Sequence, residues 1–283
     1  MYLSMEKISN QHFNDERSLF TSRELTIEKC SFSDGESPLK ESQDIEVKEC
    51  TFSWKYPLWY CKNVLLKDST FNETARSGIW YTENISIEKC AIIAPKTLRK
   101  SKHIKISKTK FENGLETLWA CQDIHLMEVV TKGDYFGFNS SDIQADNLEV
   151  YGNYVFDSCK NITIRNSYFA SRDSFWNCEN VTLINCTIIG EYFGWNSKNV
   201  TLINCKIESH QGMCYMDGLK MYNCEIYRSD LIFEYCRNLD VEIKTVVDSV
   251  KNPISGQIVI AGIKDLILDK KYIDPSKIKI IKR

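Results

Sequence analysis

The sequence has no long apolar segment and no excess of either charge. No stretch approaches the roughly 18 apolar residues that a transmembrane helix needs, so we expect no membrane partner. The first 20 residues lack a basic stretch followed by an apolar one, which predicts a cytoplasmic location without a secretory signal. The 36 Lys and Arg residues are balanced by 38 Asp and Glu residues and are scattered along the chain, which argues against nucleic acid as a partner.

A repeat of 19 to 21 residues runs through most of the chain. Each nine-residue match starts with Asn or Asp in most copies, alternates apolar and polar residues, and ends most often in Phe or Ile. The matches begin at Glu24, Asp44, Asn63, Asn84, His103, Asp123, Asp142, Asn161, Asn180, Asn199, Gly218 and Asn238. Alternation with period two indicates β-strands, and so short a unit can bury its apolar face only by stacking. We therefore predict an all-β protein, a single-stranded right-handed parallel β-helix of about twelve coils with three short strands each.

Both ends of the chain depart from the repeat. Residues 1–23 do not match it, and the match is broken after Asp248 by KNPISGQIVIAG. A stack of coils leaves bare strand edges that would pair with other chains unless they are covered. The sequence therefore predicts an N-terminal cap (1–23), a parallel β-helix (24–247) and C-terminal strands that act as a cap (248–283).

Two residue types recur at fixed positions of the repeat. Asn166, Asn185, Asn204 and Asn223 form a column whose amides can hydrogen-bond from coil to coil, so we interpret it as a structural ladder. Eleven of the twelve cysteines lie in two columns where Ser or Thr replaces them in other coils, which indicates small inward-facing core residues. No CxxC pair occurs, so no metal or cofactor is expected. Cys214 alone lies outside both columns, and a reactive thiol there is the open alternative.

Five of the six tryptophans share one position, four residues before the next repeat begins. These five residues, called the tryptophan column below, are Trp59, Trp80, Trp119, Trp176 and Trp195. The same position holds Arg99 and Asp157 in other coils, so we expect it to face outward, while the uncharged position before it faces the core. An outward column, with Tyr135 and Tyr192 beside it, would suit the stacking of sugar rings. The alternative is a half-buried stack that stabilises the coils.

Charged residues near Trp176 and Trp195 are candidates for catalysis. They are Asp157, Asp173 and Glu191, with Arg172 and His210 nearby in the repeat. Cleavage of a glycosidic bond needs two carboxyl groups about 5 to 9.5 Å apart, a gap that one or two coils can provide. The alternative is an exposed ion pair between Arg172 and Glu191. These features converge in residues 133–198, where we predict the functional site.

Five segments carry a family resemblance: GESPLKE (35–41), WKYPLWY (54–60), GIWYT (78–82), GEYFGWNSKN (190–199) and KNPISG (251–256). With the repeat, they make the chain resemble an uncharacterised bacterial family of β-helix proteins in the pectin-lyase-like superfamily. The resemblance implies the fold and no activity. Polygalacturonases of that superfamily use an adjacent Asp pair, a Gly-His-Gly and an Arg-Ile-Lys, and none of these strings occurs here.

Two functions remain open at this point. The first is binding of a carbohydrate, with or without its cleavage, by a polysaccharide lyase or glycoside hydrolase mechanism. The second is a non-enzymatic scaffold in which the same face meets a protein partner or a second copy of the chain. Fold does not decide between them, because function depends on the site.

Overall fold

The computed structural model describes residues 5–283, which fall into two compact units, one that ends at Asp142 and one of Ile143–Arg283. Strands dominate both, and the one helix among the described residues is a short 3₁₀ helix at Pro275–Lys277. No helix in this part of the chain is long and apolar enough to cross a membrane. The strands within each unit pair in parallel, coil upon coil, so each unit is built as a right-handed parallel β-helix and the predicted fold class is confirmed.

The first unit contains fifteen strands among its described residues. They are β1 (Glu6–Ser9), β2 (His12–Phe13), β3 (Arg23–Glu28), β4 (Ser31–Phe32), β5 (Gln43–Lys48), β6 (Thr51–Phe52), β7 (Lys62–Lys67), β8 (Thr70–Phe71), β9 (Ile79–Trp80), β10 (Glu83–Glu88), β11 (Ala91–Ile92), β12 (Leu98–Arg99), β13 (Lys102–Ser107), β14 (Lys110–Phe111) and β15 (Gln122–Lys132). Strand β16 (Ser141–Tyr151) begins at the last two residues of this unit.

The second unit contains most of β16 and ten further strands. They are β17 (Lys160–Arg165), β18 (Tyr168–Ala170), β19 (Glu179–Ile184), β20 (Thr187–Gly190), β21 (Lys198–Ile203), β22 (Lys206–Ser209), β23 (Lys220–Tyr227), β24 (Leu239–Lys251), β25 (Gly256–Ile267) and β26 (Ile278–Lys282).

One repeat shows why the sequence folds this way. In β5 the side chains of Ile45 and Val47 point inward and are buried, while Glu46 between them is only partly buried. Val47 pairs in register with Ile27 of the preceding coil, and the equivalent apolar position repeats through the unit. The period-two alternation therefore places one apolar column of each strand in the core.

Phenylalanines at the end of the repeat form a second core column. The rings of Phe13, Phe32 and Phe52 stack on one another, with centroids 5.0 and 4.7 Å apart, and Phe71 follows at 4.8 Å. These distances reproduce the spacing of hydrogen-bonded strands, because each ring comes from the same position of the next coil. Successive coils are therefore held by ring contacts as well as by backbone hydrogen bonds.

The third side of the coil is less regular than the sequence predicts. Among residues 5–283, β9 and β12 form the only strand pair there, although backbone hydrogen bonds such as Leu58 N to Gly78 O (2.7 Å) still join successive coils. The reason lies in the backbone, because residues such as Tyr56 (φ 63°) and Tyr60 (φ 57°) adopt the left-handed conformation and interrupt an extended strand. The first position of the repeat is also left-handed, as expected for Asn and Asp, for example at Asn63 (φ 55°).

The described residues form about 15 turns, more than the twelve that the repeat predicts. The additional turns come from both ends, where β1 pairs in parallel with β3, and β25 and β26 continue from β24. Strand pairing needs alternating apolar residues but no strict consensus, so these coils form without the nine-residue match. That residues 1–23 and 248–283 act as caps stays a prediction.

Candidate functional site

The tryptophan column is half-buried, and its rings cover one another. In the first unit Trp59 stacks on Trp80 with centroids 5.1 Å apart and an angle of 6° between the planes. The guanidinium of Arg99 then lies 5.0 Å from the ring of Trp80 and 4.8 Å from that of Trp119. In the second unit Trp176 stacks on Trp195 at 5.5 Å and 12°. The faces between Trp59 and Trp80 and between Trp176 and Trp195 are therefore covered by the neighbouring ring, and Arg99 contacts Trp80 and Trp119.

Each of four indoles also donates a hydrogen bond to the backbone. The acceptors lie one coil further on and 16 to 18 residues later in the chain: Trp59 Nε1 to Ser77 O (2.5 Å), Trp80 Nε1 to Lys96 O (2.9 Å), Trp176 Nε1 to Tyr192 O (2.6 Å) and Trp195 Nε1 to Gln211 O (2.6 Å). A buried carbonyl without a partner is costly, so these bonds stabilise neighbouring coils. This arrangement matches the half-buried stack, and sugar stacking on the indole faces would have to displace a neighbouring ring. Ligand binding by the column stays a prediction.

Residues beside Trp176 and Trp195 form a charged cluster in the second unit. Arg172 Nε lies 3.1 Å from Glu191 Oε2 and 3.9 Å from Asp173 Oδ2, so the two carboxylate oxygens are at most about 7 Å apart. The Arg172 guanidinium also lies 5.6 Å from the centre of the Tyr192 ring. The Tyr192 ring packs edge to face against Trp195 at 5.2 Å. One arginine therefore joins two carboxylates and an aromatic ring.

The two carboxylates of this cluster have opposite environments. Glu191 is exposed, whereas the side chain of Asp173 is only 4% exposed. Burial raises the pKa of Asp173, and the nearby charge of Glu191 adds to this effect while Arg172 opposes it. The hydroxyl of Tyr192 and both carboxylates raise the pKa of Arg172, so the guanidinium stays charged. A buried carboxylic acid with a raised pKa beside an exposed carboxyl group is an arrangement that acid and base pairs use.

Two buried hydroxyls flank Asp173. The Oγ atoms of Ser171 and Ser174 are buried and have no hydrogen-bond partner among the described residues. In later coils the hydroxyl of Ser229 accepts from a backbone amide of the preceding coil, that of Ser209. The amide that would reach Ser171 in the same way, that of Gly152, donates to the carbonyl of Ala170 instead (3.2 Å). Polar atoms left without partners are uncommon in native interiors and mark this coil as exceptional.

Of the other predicted site residues, His210 lies beside the cluster, whereas Asp157 and Tyr135 do not join it. His210 Nδ1 pairs with Asp230, and its ring lies 6.3 Å from that of Tyr192, so it borders the cluster. Asp157 accepts hydrogen bonds from Ser158 Oγ (2.8 Å) and Asn177 Nδ2 (3.0 Å), which places it at the start of an amide ladder. Tyr135 belongs to the first unit, where its ring lies 6.1 Å from that of Trp119. The structure thus brings together Arg172, Asp173, Glu191, Tyr192 and His210.

The cysteines contribute no reactive group to the site. All twelve are free and buried, which agrees with their interpretation as core residues. Cys214, the one outside the two columns, is buried as well, and burial raises its pKa to about 12. A thiol in this state carries little thiolate at neutral pH and is a poor nucleophile. Among residues 5–283, no three His, Cys, Asp or Glu side chains are grouped so that they could hold a metal ion.

A local excess of cations is hidden when the charge is averaged over the whole chain. Residues 89–110, about one coil, contain eight Lys and Arg, one His and no Asp or Glu. The expectation of evenly scattered cations is wrong for this coil. A charge count taken over one repeat at a time would have found it.

The strand pairing and core define the class: this is a parallel β-helix protein. A family model described as "Protein of unknown function (DUF3737)" matches residues 6–281, so the chain belongs to that family and the predicted relationship is confirmed. No curated protein matches the sequence significantly.

Several solved structures share the architecture at low identity. PfbA, a surface adhesin of Streptococcus pneumoniae, is 13% identical over 82% of this chain and 72% of its own, with a TM-score of 0.39. The A-module of the Azotobacter vinelandii mannuronan C-5 epimerase AlgE6 is 8% identical over 96% and 87%, with a TM-score of 0.38. The periplasmic alginate epimerase AlgG is 11% identical over 91% and 76%, with a TM-score of 0.34. Likeness at this level carries no information about activity.

Proposed function

We propose that the protein binds a carbohydrate at the charged cluster of the second unit. The observation that carries the proposal is the position of Arg172, whose guanidinium joins the exposed Glu191, the buried Asp173 and the ring of Tyr192. Carbohydrate sites combine an amphipathic aromatic ring with a few fixed hydrogen-bonding groups that set orientation. Trp176 and Trp195 of the tryptophan column support the site, because their indoles donate hydrogen bonds to the backbone carbonyls of Tyr192 and Gln211.

The chemistry of the cluster suits hydroxyl and carboxylate groups of a sugar. Arg172 carries a planar fork of donors, and its side chain is 57% exposed, so it can receive a ligand oxygen beside Glu191. Glu191 can accept hydrogen bonds from sugar hydroxyls, and the ring of His210 lies 6.3 Å from that of Tyr192. Donors, acceptors and an aromatic edge therefore occur within one small surface.

A calorimetric titration tests this proposal on the full-length protein. Oligomers of galacturonate, of mannuronate and of neutral glucose serve as ligands. Arg172→Ala should weaken binding by about tenfold or more, since hydrogen bonds to a charged group contribute ~1.5 to 3 kcal/mol. Arg283→Ala is the matched control, because Arg283 forms a similar exposed ion pair with Glu242 (3.0 Å) and neither residue belongs to the cluster. Equal effects of both substitutions, or no binding of any oligomer, would refute the proposal.

Cleavage of the bound sugar is a second candidate, favoured by the different environments of Asp173 and Glu191. Their carboxylate oxygens are at most about 7 Å apart, an upper bound that exceeds the ~5 Å minimum for paired glycosidase carboxyls. Asp173 with its raised pKa would donate a proton to the leaving oxygen, and Glu191 would act as base or nucleophile. Release of reducing ends should then disappear in Asp173→Asn and Glu191→Gln. If the native protein binds oligomers and releases none, the binding function stands without catalysis.

The scaffold alternative makes a different prediction about the molar mass of the protein in solution. A surface that meets a second copy gives a molar mass that rises with concentration in light scattering. Such a rise, combined with flat titrations for all oligomers, would favour the scaffold. A monomer that binds a sugar saturably would exclude it.

A further inference from the structure

A second candidate surface lies in the first unit and is called the basic coil below. It comprises residues 89–110, whose eight cations have no acidic residue among them. Half of these cations are neutralised by neighbouring coils or neighbouring residues. Lys96 and Arg99 pair with Glu116, Lys110 pairs with Glu112, and Lys89 pairs with Glu88.

Four exposed lysines of the coil remain without an ion pair in the described chain. They are Lys100, Lys102, Lys105 and Lys108. Lys100 lies 5.6 Å from the ring of Tyr81, and the other three have no aromatic contact. Most lysines in the preceding coils, such as Lys62 and Lys67, pair with a glutamate. The concentration of uncompensated charge is therefore local to this coil.

Two histidines extend the same surface along the outer face of β13 and β15. Lys105 is in register with His125 of the following coil, and His103 lies at the start of the same repeat. Asp123 accepts from His103 Nδ1 (2.7 Å) and His125 Nε2 (3.1 Å), one imidazole for each carboxylate oxygen. These hydrogen bonds lower the pKa of Asp123, which stays ionised and holds both rings in place. The lysines thus stand beside two imidazoles of fixed orientation.

Acidic residues border the basic coil on both sides. Glu83 pairs in register with Lys102 from the preceding coil, and Glu88 lies at the end of the same strand. Glu112, Glu116 and Glu128 follow in the next coil. The free cations therefore form a single row across the coil, about one strand spacing (~4.8 Å) wide. A row of this width can follow one extended anionic chain.

We propose that the basic coil binds a linear acidic polysaccharide, which lies as a single chain along β13. Lys102 and Lys105 are exposed residues of β13 and Lys108 follows the end of that strand, so a chain that lies along β13 meets three cations in succession. Duplex nucleic acid fits poorly, because its two strands place a charge about every 1.7 Å over a width of several coils and would meet the acidic borders. This site lies in the first unit and does not depend on the function proposed for the second.

The test compares two triple variants of the full-length protein by fluorescence titration with polygalacturonate, heparin, neutral dextran and oligo(dT). Lys102→Gln, Lys105→Gln and Lys108→Gln together remove three of the four charges of the row. Lys198→Gln, Lys220→Gln and Lys244→Gln together remove the same charge from exposed, unpaired lysines of the second unit. We expect the first variant to lose about tenfold or more in affinity for an acidic glycan and the control to change little. The salt dependence should also fall by about 2 in log–log slope, since each contact with a single-stranded polyanion contributes ~0.7.

The outcomes separate the alternatives. Binding of polygalacturonate but not heparin identifies carboxylates as the recognised groups, the reverse identifies sulfates, and both results support the site. Equal losses in the two variants would reduce the effect to net charge and overturn the proposal. Tighter binding of oligo(dT) than of either glycan, or no binding of any acidic glycan, would also overturn it. Arg172→Ala should leave this binding unchanged, which distinguishes it from the site in the second unit.

Discussion

Trp80 offers the sharpest test of what the tryptophan column does. Replacing it with leucine removes three contacts of the indole and changes no other residue of the coil. These contacts are the stack on Trp59 (5.1 Å), the cation–π contact with Arg99 (5.0 Å) and the hydrogen bond from Nε1 to Lys96 O (2.9 Å). If the column stabilises the coils, Trp80→Leu lowers the stability of the protein.

The size of the effect follows from these contacts. The hydrogen bond contributes about 1 kcal/mol, the ring pair ~0.5 to 1.5 kcal/mol and the cation–π contact ~0.5 to 1 kcal/mol. We expect Trp80→Leu to lower the free energy of unfolding by about 2 to 3 kcal/mol. For domains of this size each kcal/mol corresponds to ~2 to 4 °C, so the melting temperature should fall by roughly 5 to 10 °C. Trp80→Phe keeps a ring but no N–H donor and should lose about 1 kcal/mol.

Thermal and urea unfolding followed by circular dichroism measure this change. Trp54→Leu is the matched control, because Trp54 lies outside the column and its one ring contact is with Lys55 at 5.0 Å. The control should lose no more than ~1 kcal/mol. If Trp80→Leu is as stable as Trp54→Leu, the column is not structural and the reasoning from its stacked faces fails.

Three further predictions concern the ladder, the buried acid and the thiols. Asn185→Ala should lower the free energy of unfolding in urea by about 1 to 2 kcal/mol, and Asn185→Gly should lower it less. Both variants lose the amide hydrogen bonds to Asn166 and Asn204, but only alanine is strained at φ 54°. Equal losses would show that the backbone conformation is irrelevant. Since its pKa is raised in the folded state, ionised Asp173 costs stability above that pKa, and this cost vanishes as the pH falls below 3.8. Asp173→Asn should therefore melt higher at pH 7, by a margin that shrinks towards pH 4, and a lower melting temperature at pH 7 would contradict this. Ellman's reagent should modify none of the twelve thiols in the native protein and all of them in denaturant. Burial excludes the reagent and raises pKa values such as that of Cys178 to about 12. A reactive thiol in the native protein would refute this prediction.

The candidate site illustrates how far a repeat can be extrapolated. Column position predicted that Arg172 and Glu191 would lie on adjacent coils, and they form an ion pair at 3.1 Å. The same reasoning grouped Asp157 with them, but its carboxylate is held by Asn177 and Ser158. Sequence register gives the coil and the side of a residue. The hydrogen-bond or ion-pair partner of its side chain then depends on distances of a few tenths of an ångström.

The sequence by itself determined the fold of this protein, because its causes are local and repeated. Alternating apolar residues such as Ile45 and Val47 set the inward face, and Asn63 and its equivalents set the corners. Cysteines exchange with serine and threonine at buried bends, so their structural role was also readable from the chain.

Only the tertiary structure decided what the surfaces present. Periodicity places the tryptophan column outside the core, but the contact of Trp176 with Trp195 and its bond to Tyr192 O cover the ring faces. Composition shows a balanced chain, whereas stacking shows which cations find a carboxylate on the next coil and leaves Lys105 without one. The physical reason is that burial and pairing depend on residues about twenty positions apart, whose side chains meet only once the coils are stacked.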